Sequence, residues 1–217
     1  MQKIMFNDLY YLTQSTLDGY KTNTRRIEPC CKFIPDAIAT GYNSPELIGN
    51  TLRLWKENTF IEFKIRYQVG EVVAIAQSYK DCGYGENWYL DEKEDKEVPV
   101  DWRPDFSHKY GDMAGWKNKM FVRAELMPHR IKITGIKLER LQDIGKEDCL
   151  KEGIIPSPNN IGDDPCDSWY LSENSIGYGR IYYSPIDAFS KLIDLISGKG
   201  TWESNPYVIA YEFEVIK

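Results

Sequence analysis

The sequence is poor in the residues that hold metals or build disulfide frameworks. It contains two histidines, His108 and His129, and five cysteines without any Cys-x-x-Cys pair. Neither a histidine-based metal cluster nor a structural zinc site is therefore expected, and no cofactor is predicted. The odd number of cysteines and the adjacency of Cys30 and Cys31 also argue against structural disulfides. These features predict a reduced, cytoplasmic chain.

Long apolar runs and an excess of basic charge are also missing. No run of about 18 apolar residues occurs, so no membrane-spanning segment is expected. The segment 1–6 is too short for the apolar region of a signal peptide. The net charge is −6, which argues against a protein that coats long duplex nucleic acid, because a broad basic face supplies that affinity. A local basic pocket is compatible with this charge.

The residues that are present predict a mixed fold with a sizeable core. Hydrophobic residues make up 42% of the 217 positions and aromatic residues 13%, which suits a β-rich fold or surfaces that stack flat ligands. Alternation and turn residues predict strands over 3–6, 21–27, 61–67, 72–76, 120–122, 131–138 and 207–215. Apolar spacing and caps predict helices over 8–18 and 146–152 and one that begins at Ser184-Pro185. Residues 28–58 give no clear pattern.

The spacing of these elements favours one α+β domain over residues 1–217, with a small closed barrel or curled sheet. No regular strand–helix alternation supports a doubly wound fold. Two polar regions interrupt the pattern. Residues 81–106 are strongly acidic and residues 155–180 are rich in Pro, Asn, Gly and Ser, so 81–118 and 155–183 are predicted to be loop-rich insertions into the domain.

The stretch from Leu17 to Arg26 concentrates unusual chemistry. Gly19 is placed to end the first helix, since glycine adopts a left-handed cap at no steric cost. A lysine, two threonines and two arginines follow within six residues (Lys21, Thr22, Thr24, Arg25 and Arg26). Such a group suits an anionic or nucleotide-like ligand, and Lys with Thr suits a base and its nucleophile. A solvated basic turn with an exposed Lys21 is the alternative.

Five stretches resemble proteins of the ASCH domain family, of the PUA-like superfamily, in its phage or prophage branch. Residues 18–26 resemble the family's opening GRKTxTRR, and the other four follow in the family's order. They are YQVGEV at 67–72, MPHRI at 127–131, LERLQDI at 138–144 with the acidic segment up to Ile154, and GTWESNPYV at 200–208. The resemblance covers about half of the chain.

The resemblance implies a PUA-like barrel with flanking helices that binds RNA, a nucleoside or a nucleotide. In related amidohydrolases that deacetylate N4-acetylcytidine, a Lys and a Thr of the opening motif act with a later Glu. Lys21, Thr24 and Glu152 fall on these positions. A lysine acts as a base only when burial or neighbouring cations lower its pKa, and Arg25 and Arg26 are such cations. An ordinary Lys21–Glu152 salt bridge, with Thr24 paired in the sheet, is the alternative.

Further residues are candidates for contacts with nucleic acid. Lys21, Thr22, Arg25 and Arg26 would hold the ligand, and Lys117, Lys119 and Arg130 are suited to follow a phosphate backbone. Trp202 is suited to stack a base, although an unplaced aromatic residue more often belongs to a core. Three functions stay open from the sequence: an RNA- or nucleotide-binding protein, an amidohydrolase, and a phage assembly protein without a small ligand. The oligomeric state cannot be inferred.

Overall fold

The computed structural model describes residues 1–82, 114–156, 169–171 and 180–216, and it is a mixed α+β structure. The helices are α1 (Leu12–Leu17), α2 (Pro29–Ala39), α3 (Lys146–Lys151), α4 (Pro185–Ser197) and α5 (Thr201–Ser204). The strands are β1 (Lys3–Ile4), β2 (Asn23–Arg26), β3 (Glu46–Ile48), β4 (Thr51–Lys56), β5 (Thr59–Lys64), β6 (Val72–Ile75), β7 (Arg130–Arg140), β8 (Ile155–Pro156), β9 (Trp169–Leu171), β10 (Arg180–Tyr182) and β11 (Tyr207–Ile216).

The described residues divide into two compact units. One comprises residues 1–6 and 73–130, and the other comprises residues 7–72 and 131–217. The larger unit is built around β7, β11 and β2, which lie side by side in that order. Strands β11 and β2 are antiparallel, with Thr24 opposite Tyr211 and Arg26 opposite Ile209. Four consecutive residues of β11, from Val208 to Tyr211, are buried, so this strand is covered on both faces.

The helices of the larger unit pack around these strands. Helix α4 begins where Ser184 accepts a hydrogen bond from the backbone of Asp187 and Pro185 occupies the first turn. Its buried residues include Ala188, Phe189, Leu192 and Ile193. Ile196, which the apolar spacing places on the same stripe, is 39% exposed. Helix α3 packs against both α4 and β2, which brings its carboxylates to the strand that carries Arg25.

Residues 28–58 form a helix and part of a separate sheet. Helix α2 packs on β11, and β3, β4 and β5 make a three-stranded antiparallel sheet. Leu52 and Leu54 of β4 are buried, while Arg53 between them is half-buried. Phe33 of α2 stacks on Phe63 of β5 with ring centroids 5.8 Å apart. The helix was not predicted because Pro35 lies inside it, and proline ordinarily interrupts a helical pattern.

The smaller unit has its own core. Strand β1 pairs in parallel with β6, and the buried residues Ala74, Ala76, Tyr79, Val122, Ala124 and Met127 cluster together. The predicted strand over 120–122 is wrong. Residues 119–121 form a 3-10 turn capped by Asn118, and the Lys3 ammonium donates hydrogen bonds to the carbonyls of Lys119, Met120 and Val122. These carbonyls are therefore satisfied by a side chain instead of a neighbouring strand.

The predicted insertions fall mostly outside the described residues, which omit 83–113, 157–168 and 172–179. The described parts of the second insertion are not only loop, because they hold β8, β9 and β10 in a three-stranded antiparallel sheet. The described residues form both helices and sheets, which confirms the α+β class. Their strand pairings close no barrel, so the PUA-like barrel stays a prediction. Among these same residues, no helix combines the length and the apolar character needed to cross a membrane.

Candidate active site

The turn after α1 directs Lys21 into the protein. Gly19 has a φ of 82°, which confirms its predicted role at the end of the helix. The backbone nitrogens of Tyr20 and Lys21 both donate to the carbonyl of Ser15 at 2.9 Å, so the chain folds back on the helix. Lys21 is only 1% exposed. The predictions of a solvated basic turn and an exposed Lys21 are therefore wrong for this residue.

The Lys21 ammonium is held by three oxygen atoms. Its Nζ donates to Asn23 O at 2.7 Å, to Glu152 O at 2.8 Å and to Glu152 Oε2 at 2.7 Å. An ammonium carries three hydrogens, so each has an acceptor. Glu152 lies directly after α3 and is itself buried. The predicted meeting of Lys21 and Glu152 is thus present in the structure.

Arg25 joins this ion pair to two further carboxylates. Its Nη1 donates to Glu152 Oε1 at 3.1 Å, its Nη2 to Asp148 Oδ2 at 2.8 Å and its Nε to Glu139 Oε1 at 2.6 Å. Asp148 and Glu152 are four residues apart, which places both on one face of α3. The side chains of Arg25, Glu139 and Glu152 are nearly inaccessible, whereas Asp148 reaches solvent.

The electrostatics of this cluster bear directly on Lys21. Burial lowers the pKa of Lys21 from its ordinary value, and the cations of Arg26 and Arg25 act in the same direction. The carboxylate of Glu152 opposes them but does not reverse the shift. Burial and neighbouring like charges both disfavour a charged amine. The lowered pKa brings Lys21 closer to the free-base form that a proton acceptor needs.

Thr24 lies beside this pair without a hydrogen bond to it. Within the part of the chain that the structure describes, its hydroxyl makes no hydrogen bond, although the residue is buried. Alternation along β2 places Thr24 on the face opposite to Asn23 and Arg25. Asn23 O accepts from Lys21 Nζ, and standard peptide geometry then puts the Thr24 backbone nitrogen within about 5 Å of that Nζ. Thr24 is paired in the sheet opposite Tyr211, and of the three predicted groups only Lys21 and Glu152 are in contact.

The face that carries Thr24 holds a second buried carboxylate. Tyr211, opposite Thr24 in the register, donates its hydroxyl to Glu28 Oε1, and the backbone nitrogen of Arg66 donates to Glu28 Oε2 at 3.0 Å. Tyr67 packs edge-on against Tyr211 with ring centroids 5.2 Å apart. Burial lowers the pKa of the Arg26 guanidinium, which interacts electrostatically with both tyrosines. This face therefore combines aromatic packing and hydrogen bonds to Glu28 with the buried guanidinium of Arg26.

The other predicted binding residues have more ordinary surroundings. Thr22 is half-buried, and its backbone nitrogen donates to Lys151 O at 2.9 Å. Trp202 packs edge-on against Phe189 with ring centroids 6.2 Å apart, which gives it a packing role. Lys117 and Arg130 are exposed. Lys119 is half-buried, and its Nζ donates to the carbonyl of Phe6 at 2.6 Å. Their part in nucleic-acid binding stays a prediction.

Three carboxylates of these two clusters were not found from the sequence: Glu139, Asp148 and Glu28. Asp148 had a usable signal, because it stands one helical turn before Glu152. Glu139 lies directly after the predicted strand over 131–138, where a single acidic residue is expected to face solvent. Among the described residues, no three His, Cys, Asp or Glu side chains are grouped as metal ligands would be.

Comparisons of the chain with protein-family models, with curated proteins and with solved structures return no match. Membership of the ASCH family thus rests on the sequence resemblance alone and stays a prediction. The chemistry of the site has to be argued from its own contacts.

Proposed function

We propose that this protein is an ASCH-type amidohydrolase that removes the acyl group from an N-acylated nucleoside such as N4-acetylcytidine. The working groups are Lys21, Thr24 and Glu152. The observation that carries the proposal is the 2.7 Å contact between Lys21 Nζ and Glu152 Oε2, with both side chains buried. The substrate class and the roles of the three residues come from the family resemblance, and the geometry supports the proposal through the Lys21–Glu152 contact.

The reaction runs in two steps through an acyl-threonine. Lys21 in its free-base form takes the proton of the Thr24 hydroxyl, and Thr24 Oγ1 bonds to the carbonyl carbon of the amide. The C–N bond breaks, and the leaving amine takes the proton from the Lys21 ammonium. Water then attacks the ester, with Lys21 again as base, and releases the carboxylic acid and the threonine hydroxyl. Glu152 holds the Lys21 nitrogen in place throughout.

Phosphate binding by Lys21 and Arg25 is less well supported than hydrolysis. The donors of both cations point at carboxylates of the protein itself, namely Glu152, Glu139 and Asp148. A phosphate would have to displace these carboxylates and would add negative charge to a cluster that already holds three of them. A neutral acylated base meets no such repulsion. RNA or nucleotide binding therefore stays a prediction that depends on the exposed cations elsewhere.

Release of acetate from N4-acetylcytidine by the purified protein tests the proposal. Thr24→Val keeps the branched shape and removes the hydroxyl, and it should lower the rate by about 100-fold or more, as expected when a nucleophile or its base is lost. Lys21→Met and Glu152→Gln should also be slow. Thr134→Val, on the exposed side of β7, is the matched control and should keep the parent rate.

Folding has to be verified for each variant by circular dichroism, because Lys21 and Glu152 are buried and each neutralises the other. Thr24→Val removes no charge and is the most informative substitution. If folded wild-type protein releases no acetate above the protein-free background, the hydrolase proposal is wrong. If Thr24→Val retains the parent rate, threonine is not the nucleophile.

A further inference from the structure

We propose that Arg25 is the positioning residue of this site. The Arg25 guanidinium is itself held by Glu139 and Asp148. It fixes the Glu152 carboxylate so that Glu152 Oε2 stays hydrogen-bonded to Lys21 Nζ. The kinetic consequence of this role rests on the proposed hydrolase function. The geometric role does not, because it concerns only the contacts among these five side chains.

The contacts of Arg25 form a fork with a different carboxylate on each nitrogen. Nε binds Glu139, Nη1 binds Glu152 and Nη2 binds Asp148, at distances from 2.6 to 3.1 Å. The carboxylates come from two elements, β7 for Glu139 and the α3 region for the other two. A planar guanidinium with three engaged nitrogens cannot turn without breaking at least one of these bonds.

Glu152 is fixed at both of its carboxylate oxygens as a result. Oε1 accepts from Arg25 and Oε2 accepts from Lys21. Rotation of the carboxylate about its last bond would exchange the two oxygens and lose one contact. The contact of the Lys21 nitrogen with Glu152 Oε2 thus depends on Arg25, whereas its other two contacts are to the backbone carbonyls of Asn23 and Glu152.

The support behind Arg25 is itself anchored. Glu139 Oε2 lies 2.7 Å from Lys137 Nζ, and Asp148 Oδ1 lies 3.6 Å from Lys151 Nζ. These two lysines are substantially exposed, whereas Arg25 and Glu139 are not. The cluster therefore runs from solvent-facing lysines, through Glu139 and Asp148, to Arg25, Glu152 and Lys21. Only the inner end of this path reaches the groups assigned to the reaction.

The charges that face Lys21 determine what each substitution should do. They are Glu152 from the α3 region and Arg25 and Arg26 from β2. Arg25→Lys keeps the positive charge and removes the fork, so it isolates position. Arg25→Gln removes the charge as well, so it adds an electrostatic change. Without the repelling guanidinium, the Lys21 ammonium is easier to keep charged.

Two measurements test the proposal. In the acetate-release assay, Arg25→Lys should lower kcat by about 100-fold with little change in KM, because a misplaced base costs rate and not binding. In a side-chain NMR titration of Lys21, assigned by its loss in Lys21→Met, Arg25→Gln should move the midpoint to higher pH. Arg53→Lys, which changes a half-buried guanidinium on β4 that pairs with Glu62, is the control and should change neither kcat nor the titration midpoint of Lys21.

The outcomes separate this proposal from the hydrolase proposal. If the wild type does not hydrolyse the substrate, the function fails, and the Lys21 titration still decides the role of Arg25. If the wild type is active but Arg25→Lys has the parent kcat, Arg25 does not position the site. An unchanged titration midpoint of Lys21 in folded Arg25→Gln would also overturn the proposal for Arg25. Should Arg25→Gln not fold, the kcat of Arg25→Lys alone decides.

Discussion

The two faces of strand β2 bury carboxylates in opposite ways. On one face, Glu152 is held by the cations of Lys21 and Arg25. On the other, Glu28 is held by the hydroxyl of Tyr211 and the backbone nitrogen of Arg66. Both carboxylates are almost inaccessible to water. The same depth of burial is therefore met once by charge pairing and once by hydrogen bonds from neutral donors.

The difference shows what the ionic face contributes beyond stability. Taking several charges out of water costs more than their attraction ordinarily returns, so a buried ionic cluster is weak evidence for a stabilising role. Strained or costly arrangements concentrate at functional sites, where the geometry is needed for another purpose. This reasoning supports a functional role for Lys21 and Glu152 on the ionic face, whereas Thr24 lies on the other face of β2.

The largest expected effect comes from breaking the ionic face at its centre. Arg25→Met leaves Glu139 and Glu152 buried without their shared cation, and the free energy of unfolding should fall by about 3–5 kcal/mol. Arg53→Met is the comparison variant. The half-buried guanidinium of Arg53 pairs with the exposed Glu62 and lies over the rings of Trp55 and Phe60, so its loss should cost about 1–2 kcal/mol. Urea unfolding of both variants measures the two values. Equal losses would show that burial does not distinguish the two arginines.

Breaking the hydrogen-bonded face should cost less. Tyr211→Phe keeps the ring against Tyr67 but leaves Glu28 without its hydroxyl donor, and the free energy of unfolding should fall by about 1–3 kcal/mol. Tyr183→Phe removes a hydroxyl from a residue that is 85% exposed, and this control should change stability by less than about 0.5 kcal/mol. A loss at Tyr211 as large as that at Arg25 would remove the contrast between the two faces.

The sequence predicts the parts of this molecule whose signals are local. The alternation of β7 and β11 and the capped, striped helix α4 are read within about ten residues, and the structure confirms them. Helix α2 was missed because Pro35 hides it and its packing on β11 involves residues far along the chain. The strand predicted over 120–122 is absent because the Lys3 ammonium donates hydrogen bonds to the carbonyls of this segment.

The candidate site shows the same limit. Lys21 and Glu152 were paired through the family resemblance, although 131 residues separate them. Nothing in the stretch of cations around Lys21 indicates burial, since charged runs are ordinarily solvated and the neutralising carboxylates lie in β7 and α3. The position of Thr24 on the opposite face follows from strand alternation, but the assignment of the three-residue group from the family resemblance did not take this into account.

A pH titration sharpens the comparison, because burial and the neighbouring Glu28 raise the pKa of Tyr211. Above about pH 10 the unfolded chain releases the tyrosine proton and the folded protein keeps it, so the free energy of unfolding falls by about 1.4 kcal/mol per pH unit. Tyr211→Phe should lack this contribution. Burial raises the pKa of Cys149 to about 12. Its titration lowers the free energy of unfolding of both proteins alike as the pH rises, so it cancels in the difference between them.

Urea unfolding of wild type and Tyr211→Phe at pH 9, 10 and 11 measures the slope difference. The two stability curves should converge as the pH rises, since the wild type loses the contribution that the variant never had. Parallel curves would mean that the Tyr211 hydroxyl titrates alike in the folded and unfolded states. The result would then contradict the closed, hydrogen-bonded character of this face.

The smallest effect is expected at the outer end of the ionic face. Lys137 pairs with the buried Glu139, but its own side chain is 69% exposed. Water and salt screen an exposed ammonium, so Lys137→Met should lower the free energy of unfolding by less than about 1 kcal/mol, and the loss should shrink further in about 1 M salt. Lys151→Met, at the other exposed end of the cluster, is the comparison variant. Urea unfolding at low and high salt measures both. If the loss of stability in Lys137→Met approaches that in Arg25→Met and does not shrink in salt, Glu139 depends on Lys137 for its charge balance. The ion pairs that hold Arg25 would then depend on an exposed lysine.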